Sequence, residues 1–435
     1  MSAIRFTNPD HWNTLEGHLV GGDHERYAFA FTRPLSAGDE VVVEVVDVVL
    51  IPDDEVQLHR LAGEAMDRVH NDAIKGGLGV VEFHRHPAGP PRFSGTDEDG
   101  LAPMASYVTG ILPGRAYGAG VLADGRVRVD HWQSRHGSVE RSTFDSVTVL
   151  GDHYRILNAP KTSAPTFDRQ LDLVTAQGQD ALAVMRVALV GAGGTGSHMG
   201  VGLAYLGFRD VVVYDGDRIE LSNLNRTVTA DPSDLGAPKA LVAQRRMREI
   251  APGMRVETRP PITPATPKAN LADFDLIIGC VDHDGVRDYL NDVAVTTATP
   301  YLDIATGVDT KVTPPAVGGH VVLVRPGHPC LHCHDLLDPA EVGSWTKPPD
   351  QQILDYQHGY GTGVPNPSVV YLNAMASYAG LAEIAAWVSG HRPPAQFLQV
   401  DLNSSLAKRG TPPGSRIVVN TPTGAVSTCF ACARP

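Results

Sequence analysis

The stretch that decides the fold reads RVALVGAGGTG and spans residues 186–196. Its first five residues are mostly apolar and predict a buried β-strand, and the glycines that follow predict a tight turn that opens a helix. Such a turn lets the backbone approach a phosphate or a ribose, and the helix N-terminus favours negative charge. The segment therefore predicts a nucleotide-binding unit built on Gly191, Gly193, Gly194 and Gly196.

Short apolar runs and helical patterns alternate beyond this turn. The predicted elements are helices at 197–206, 238–250 and 368–389, and strands at 211–215, 275–282, 397–402 and 416–420. Strands that alternate with helices are typical of a parallel sheet with helices on both faces. The sequence therefore predicts an α/β, doubly wound, Rossmann-like domain.

Polar residues at defined places in this pattern indicate the chemistry. Asp215 ends the strand after the glycine turn, where a carboxylate takes a ribose hydroxyl. Arg226 and Lys239 supply two cations that can neutralise a triphosphate, and Asp282 supplies a carboxylate for Mg²⁺. Hydride transfer does not need this set, whereas nucleotidyl transfer does. The pattern therefore favours ATP and Mg²⁺ over a dinucleotide redox cofactor.

Residues 167–435 resemble the ThiF/MoeB family, the bacterial relatives of ubiquitin-activating enzymes. The matching motifs are FDRQ (167–170), GAGGTG (191–196), DGDRIELSNLNR (215–226), GAPK (236–239), CVD (280–282) and two C-x-x-C pairs. The resemblance implies that Asp215 binds ribose, that Asn223, Arg226 and Lys239 bind phosphates, and that Asp282 holds Mg²⁺. It also implies that Arg169 reaches into the neighbouring subunit as an arginine finger, and hence a homodimer.

The two C-x-x-C pairs predict a structural zinc site. Their four thiolates are Cys330, Cys333, Cys429 and Cys432. Four thiolates form a closed tetrahedral zinc site, and no thioredoxin-like context surrounds either pair. His332 and His334 remain alternative ligands.

The sequence lacks a cysteine where many ubiquitin-activating relatives carry the one that forms a thioester. Residues 334–366 contain none, and the one unassigned thiol, Cys280, lies on an apolar strand. Such a setting shields a thiol, so we interpret Cys280 as structural. The chain is then expected to stop at the acyl-adenylate or to pass it to an external nucleophile.

The N-terminal half contains a second constellation. A strand at 41–50, a helix at 54–75 and a strand at 79–84 precede His84 and His86, and Ser94 and Asp97 follow after a Pro-rich loop. Two imidazoles and one carboxylate leave the fourth position of a tetrahedral zinc to water, which is typical of catalytic rather than structural zinc. Ser94 is placed to stabilise an oxyanion, and Glu25 is our candidate for the general base.

This spacing is similar to that of the JAB/JAMM metalloproteases, whose pattern is His-x-His, seven residues, Ser-x-x-Asp, with an upstream Glu. The resemblance implies an α+β JAB/MPN-like fold in which His84, His86 and Asp97 bind zinc, with Glu25 as acid/base. It implies cleavage at the C-terminal tails of ubiquitin-like proteins. Glu16 is the alternative to Glu25.

Composition narrows the class of protein. The 435 residues are 42% hydrophobic and carry a net charge of −13. No apolar run is long enough to span a membrane, and the acidic balance argues against a nucleic-acid partner. With C-x-x-C pairs and no secretion signal, we expect a cytoplasmic protein. A Pro/Ser/Thr-rich stretch predicts a linker at 158–166 between domains at 1–157 and 167–435.

Together these patterns predict a bifunctional enzyme with two zinc sites. One domain would hydrolyse the tail or conjugate of a ubiquitin-like or sulfur-carrier protein, and the other would adenylate the terminal glycine of its Gly-Gly tail with Mg·ATP. One alternative is adenylation and trimming of a small peptide in natural-product modification. Another is a binding platform for ubiquitin-like tails whose metal domain has lost catalysis.

Overall fold

The computed structural model describes most of the chain. The described residues are 2–21, 25–35, 41–57, 60–61, 63–135, 137–162, 164–310, 312–313, 315–347, 367–402, 416–420 and 429–432. The chain divides into two units, Met1–Pro160 and Lys161–Pro435, so the division falls inside the stretch predicted as a linker. None of the described helices combines the length and the apolar character that crossing a lipid bilayer requires.

The N-terminal unit combines three helices with a mixed sheet. Its helices are α1 (Pro9–Val20), α2 (Gly63–Gly76) and α3 (Gly95–Ile111). Its strands are β1 (Ala3–Phe6), β2 (Tyr27–Pro34), β3 (Val42–Leu50), β4 (Val56–Gln57), β5 (Arg60–Leu61), β6 (Gly79–Arg85), β7 (Tyr117–Ala123), β8 (Arg126–Arg135), β9 (Ser138–Thr143), β10 (Ser146–Leu150) and β11 (Tyr154–Ile156). Nine of them form one sheet in the order β11-β10-β1-β3-β2-β6-β7-β8-β9, and β4 pairs with β5.

Both faces of this sheet are covered. Trp12 and Leu15 of α1 pack with Phe83 of β6 in one core cluster. Val69 of α2 and Leu101 of α3 belong to a second cluster, which contains Val80 and Tyr117. Because side chains alternate along a strand, Val80, Glu82 and His84 share the face that α2 and α3 cover. The metal-site candidates of β6 and α3 therefore meet on one side of the sheet.

The helix predicted at 54–75 begins only at Gly63, so the prediction of its first part was wrong. Asp53–Glu55 form a 3₁₀ turn instead, and Val56–Gln57 pair antiparallel with Arg60–Leu61. The backbone groups of β4 and β5 bond to each other across this short hairpin and are unavailable to a helix.

The C-terminal unit alternates strands and helices. Its strands are β12 (Arg186–Val190), β13 (Asp210–Tyr214), β14 (Arg255–Arg259), β15 (Leu276–Gly279), β16 (Tyr301–Asp309), β17 (Ala316–Val324), β18 (Phe397–Asp401) and β19 (Arg416–Asn420). Its helices are α4 (Leu171–Val174), α5 (Ala176–Val184), α6 (Gly194–Leu206), α7 (Lys239–Ile250), α8 (Ala269–Ala272), α9 (Asp284–Thr297), α10 (Pro339–Trp345) and α11 (Val370–Ser389). Short 3₁₀ helices span Pro165–Gln170, Leu221–Asn223 and Pro232–Asp234.

The sheet of this unit is only partly parallel, which corrects the wholly parallel sheet expected from the sequence. In the order β14-β13-β12-β15-β16-β17-β18-β19, the first five strands are parallel and the last three join antiparallel. The connection between Asp309 and Ala316 is too short for a crossover helix, so β17 can only return beside β16 as a hairpin. The parallel half has the Rossmann-like α/β arrangement.

Candidate functional site

A cleft of about 400 Å³ lies at the carboxyl ends of the parallel strands, where open α/β sheets bind their ligands. Most of the predicted nucleotide ligands line it. They are Gly191, Gly193, Gly194, Asp215, Arg226, Lys239 and Asp282. Residues from four segments of the sequence thus converge on one site.

The glycine turn is shaped by close backbone contacts. Gly191 has φ +93°, a conformation that side chains rarely adopt, and a Cβ there would lie 2.6 Å from the Cys280 carbonyl oxygen. A Cβ on Gly196 would lie 1.9 Å from the Gly191 carbonyl oxygen. Gly196 is not among the described residues that border the cleft. It acts by letting α6 start against the turn.

Asp215 and Lys239 are held by local bonds at the same edge. The Asp215 carboxylate accepts hydrogen bonds from the backbone N–H groups of Ala192 (2.7 Å) and Asp217 (2.8 Å). Burial raises the pKa of Asp215 despite these bonds. The Lys239 ammonium lies 2.8 Å from the Asp217 carboxylate, whose side chain is 73% exposed. An incoming phosphate can therefore compete for this lysine at little cost.

Of the two predicted phosphate ligands Asn223 and Arg226, only Arg226 is among the described residues that border the cleft. The Asn223 side chain is buried, its Oδ1 accepts from the Glu220 N–H at 3.0 Å, and it is not among the described lining residues. Its amide is used to cap its own 3₁₀ turn. Arg226 does border the cleft and donates to the Ser222 carbonyl at 2.5 Å.

Sequence reasoning did not assign Arg287 or Cys280 to the nucleotide site, although both border the cleft. Arg287 contacts Asp284 on its own helix and also makes a two-point contact with the buried Asp303 of β16 at 3.1 and 2.7 Å. Cys280 lies just beyond β15 and borders the cleft, and burial raises the pKa of its thiol. No local motif marks Arg287, because its partner lies on another strand.

The C-terminal helix contributes a third missed residue. Asn373 of α11 lies where a Cβ on Gly194 would be, 2.2 Å from its Nδ2. Its Oδ1 accepts from Thr306, and its Nδ2 donates to Ser368 at 3.0 Å. Thr306 of β16 and Ser368, which precedes α11, border the cleft and both hydrogen-bond with Asn373, so this side of the cleft is polar.

The charges of the cleft suit a nucleotide that brings a divalent cation. Five described carboxylates line it against three cations. The carboxylates are Asp215, Asp217, Asp282, Asp284 and Glu341, and the cations are Arg226, Lys239 and Arg287. A triphosphate adds further negative charge, so a cation held by oxygen ligands is needed to offset it. Asp282, exposed in the loop between β15 and α9, is a suitable oxygen donor.

Residues 167–413 match the ThiF family. The chain belongs to the ThiF family. The match covers more than half of the chain and includes the glycine turn and all the charged lining residues of the cleft.

Several curated proteins are similar to this ThiF-family chain. The sulfur carrier protein adenylyltransferase of Thermus thermophilus is 36% identical over 177 residues, which cover 40% of this chain and 64% of that protein. The SAMP-activating enzyme E1 of Haloferax volcanii is 33% identical over 167 residues, covering 38% of this chain and 58% of that protein. The chain spans less than two thirds of the length of these relatives.

Solved structures include a similar chain in E. coli MccB, in the crystal structure of MccB with MccA-N7isoASN. Its TM-score is 0.47 and its sequence identity is 18%. The likeness covers 63% of this chain and 76% of that one.

Arg169 lies apart from the cleft of its own subunit. It belongs to the 3₁₀ helix that precedes α4, its side chain is exposed, and it is not among the described lining residues. A nucleotide bound in this cleft is therefore not contacted by the Arg169 of the same subunit.

The four predicted zinc cysteines come together. Their sulfur atoms lie close to one another, with Cys330 at 4.0 Å from Cys333 and 3.8 Å from Cys429, and Cys333 at 3.4 Å from Cys432. A tetrahedral zinc with Zn–S bonds of about 2.3 Å needs sulfurs about 3.8 Å apart. The donor set therefore fits structural zinc, and it would tie residues 429–432 to the sheet unit.

The two alternative ligands have other surroundings. The His332 Nε2 lies 2.7 Å from the Asp288 carboxylate, and the His334 ring stacks on Phe397 with ring centres 5.1 Å apart. Neither histidine belongs to the donor cluster found among the described residues.

Removing one cysteine tests this site. We expect Cys330→Ser to lower bound zinc by one ion per chain and to lower the unfolding temperature, because the binding energy of a structural zinc is folding energy. Elemental analysis and thermal unfolding measure the two effects. Cys280→Ser is the matched control and should keep all bound zinc. Unchanged zinc content in Cys330→Ser would contradict the assignment.

The N-terminal unit brings the second predicted metal set together. The Nε2 atoms of His84 and His86 are 3.2 Å apart, and the Asp97 carboxylate lies 3.5 Å from His84 and 3.3 Å from His86. A tetrahedral zinc with bonds of about 2.0–2.1 Å needs donor atoms about 3.3 Å apart. The three donors therefore have the spacing that one zinc ion requires.

The structure distinguishes the two candidate glutamates. Glu25 Oε1 lies 3.9 Å from the His84 Nε2, and Glu25 is the fourth member of the donor cluster. Glu16 instead accepts from the Trp12 indole N–H at 2.9 Å and lies 3.7 Å from Arg155. Glu25 is brought in by β2, because Tyr27 pairs with His84 across the antiparallel β2–β6 ladder.

Ser94 and Asp97 are fixed by the start of α3. Ser94 is the N-cap and accepts from the Asp97 N–H at 3.2 Å, while its own N–H donates to the Asp97 carboxylate at 2.5 Å. This capping box orients Asp97 towards the histidines. The same capping box holds the Ser94 hydroxyl beside the Asp97 carboxylate.

In this cluster, His84 and Asp97 each stabilise the charged form of the other. Burial lowers the pKa of His84, but the hydrogen bond and charge of Asp97 outweigh it and the pKa is raised overall. Burial alone would raise the pKa of Asp97, yet His84 and the Ser94 N–H bring it well below its usual range. Glu82, on the same face of β6, has a pKa raised by burial and was missed by sequence reasoning.

Proposed function

We propose that the C-terminal unit is an ATP-dependent adenylyltransferase that activates the C-terminal carboxylate of a ubiquitin-like or sulfur-carrier protein. The observation that carries this proposal is the convergence of the glycine turn, Asp215, Arg226, Lys239 and Asp282 on one cleft. The names of the relatives, a sulfur carrier protein adenylyltransferase and a SAMP-activating enzyme, support the substrate class.

The proposed reaction is nucleotidyl transfer. A carboxylate oxygen of the tail attacks the α-phosphorus of ATP, the bond to the β-phosphate oxygen breaks, and pyrophosphate leaves with its electron pair. Arg226 and Lys239 offset the charge of the phosphates, and the Asp215 carboxylate accepts from the ribose. Mg²⁺, held by Asp282, would reduce the charge on the departing pyrophosphate.

The proposed reaction takes place at a terminal carboxylate, and a thin Gly-Gly tail suits it. A tail without side chains needs little room beside the cleft walls that the glycine turn, Thr306 and Ser368 form. We therefore propose a Gly-Gly-ended partner rather than a bulky peptide.

We also propose a homodimer in which Arg169 acts on the partner's nucleotide. Arg169 is exposed outside its own cleft, and exposed apolar side chains lie on the helices that follow it in the chain, including Leu173 (56% exposed), Tyr205 (63%) and Tyr378 (45%). We propose that these side chains pack against the second subunit. The planar guanidinium suits two-point contact with a phosphate.

Mixed dimers test the Arg169 role. We expect Arg169→Ala to slow adenylation with little effect on unfolding temperature, because its side chain is exposed. Mixing Arg169→Ala with Asp282→Ala subunits should restore part of the activity, since one site of the mixed dimer then has its own Asp282 and an intact Arg169 from the other chain. An active monomer, or a mixture that exchanges subunits and stays inactive, contradicts the proposal.

For the N-terminal unit we propose a zinc metallopeptidase of the JAB/JAMM type that cleaves tails or conjugates of the same partner. The spacing of the His84, His86 and Asp97 donor atoms supports this proposal, and Glu25 lies beside them. When bound, zinc would acidify a water molecule and polarise the scissile carbonyl. Glu25 would take the water's proton and give it to the leaving amine, and Ser94 would donate to the carbonyl oxygen.

The two proposed activities follow one another chemically. Hydrolysis of a tail extension exposes the glycine carboxylate that adenylation then consumes. Mass spectrometry of candidate Gly-Gly-ended proteins incubated with the full chain, with and without ATP, tests both. Shortening of the tail without ATP and an adenylate mass with ATP are expected. A partner that changes in neither condition would count against the proposed substrate class.

A further inference from the structure

Arg141 makes an unusual number of contacts for a residue on a sheet edge. It lies on β9, the last strand of the nine-stranded sheet, whose residues are all exposed. Its Nε donates to Asp130 at 2.8 Å, and its two terminal nitrogens donate to the two Glu98 carboxylate oxygens at 2.5 and 3.0 Å. Its guanidinium also lies 5.4 Å from the centre of the Phe93 ring.

The groups that Arg141 holds enclose a metal-ligand segment. Phe93 immediately precedes the N-cap Ser94, and Glu98 immediately follows Asp97. The Phe93 ring also packs near the His84 ring, with ring centres 6.2 Å apart. One guanidinium therefore holds both ends of the short stretch that delivers Asp97 to the histidines.

The other side of Arg141 is anchored in the sheet. The Asp130 side chain is 1% exposed and also accepts from Arg128 and from the Thr143 hydroxyl at 2.8 Å. Glu98, by contrast, is 46% exposed, so its pairing with Arg141 contributes little to global stability. The contribution of Arg141 is therefore geometric. It links the buried Asp130 carboxylate to the first turn of α3.

We infer that Arg141 is a positioning residue for the metal centre, which fixes Asp97 and Phe93 relative to His84 and His86. The inference rests on the metallopeptidase proposed above. Groups that orient a metal ligand from outside the coordination sphere set its affinity, because a ligand free to move loses its favourable geometry. Arg141 does not bind zinc and is expected to act only through the start of α3.

Zinc affinity of the full-length chain tests the inference. Affinity at the His84/His86/Asp97 site is measured by competition with a chromophoric chelator that leaves the four-cysteine site loaded. We expect Arg141→Gln to weaken zinc binding about 10–100-fold. Arg141→Lys keeps the charge without the fork and should fall between Arg141→Gln and the unsubstituted chain. Turnover of a tail substrate should fall with KM unchanged.

Matched variants keep the outcome interpretable. Glu98→Gln removes the same contact while leaving the Asp130 anchor, so it should also weaken zinc binding even if Arg141→Gln folds poorly. Glu140→Gln removes the same charge as Glu98→Gln, but Glu140 lies on the opposite face of β9 from Arg141. This variant should bind zinc with unchanged affinity. Unchanged zinc affinity in both Arg141→Gln and Glu98→Gln overturns the positioning role. An unsubstituted chain that takes up no zinc at this site overturns the metallopeptidase itself.

Discussion

Asp282→Ala is expected to abolish ATP–pyrophosphate exchange, lowering its rate by about 10³-fold. Asp282 is the exposed carboxylate at the end of the β15 loop, and it faces a cleft whose cations alone do not balance a triphosphate. If Asp282 holds Mg²⁺ as proposed, its removal leaves the charge on the departing pyrophosphate without the offset that the metal would supply. Arg226→Ala should act in the same direction, because it removes one of three cations.

The control lies on the neighbouring helix. Asp292→Ala removes a carboxylate of α9 that is half-exposed and pairs with Lys268, away from the cleft lining. Exchange by this variant should match the unsubstituted chain. Exchange that survives Asp282→Ala would mean that another carboxylate holds the metal, and Asp284 would be the next to replace.

His86→Ala is expected to eliminate tail hydrolysis and to release the zinc of the N-terminal unit, while ATP–pyrophosphate exchange continues. His86 supplies one of three donor atoms spaced about 3.3 Å apart, and two donors hold zinc far less well than three. The ligands of the two activities belong to separate units of the chain, so their substitutions should act independently. Zinc content, peptide cleavage and pyrophosphate exchange are measured on the same preparation.

The two upstream glutamates provide an internal comparison for this prediction. Glu25→Ala should stop hydrolysis and retain zinc, because Glu25 lies beside the donor atoms and is the proton acceptor in the proposed reaction. Glu16→Ala should leave hydrolysis intact, since Glu16 pairs with Trp12 and Arg155. Loss of pyrophosphate exchange in a folded His86→Ala chain would show that the two activities are not separable.

Features that depend on neighbouring residues were determined by the sequence alone. The strand, turn and helix at 186–206 follow from apolar runs and from glycines that permit the close backbone approach at Gly191 and Gly196. The cysteine pairs and the His-x-His and Ser-x-x-Asp spacings are equally local, because each lies at one strand end, in one turn or in one capping box. Short-range geometry of this kind is written directly in residue order.

Only the tertiary structure decided which residues far apart in sequence meet. Glu25 rather than Glu16 reaches the histidines because β2 pairs antiparallel with β6 in a register that sets Tyr27 opposite His84. Asp303 holds Arg287 at the cleft, and the packing of α11 against α6 brings Asn373 against Gly194. The antiparallel strands of the second sheet depend likewise on how β16 turns back. Strand register and helix packing are set by burial summed over the whole core, and no single motif encodes that sum.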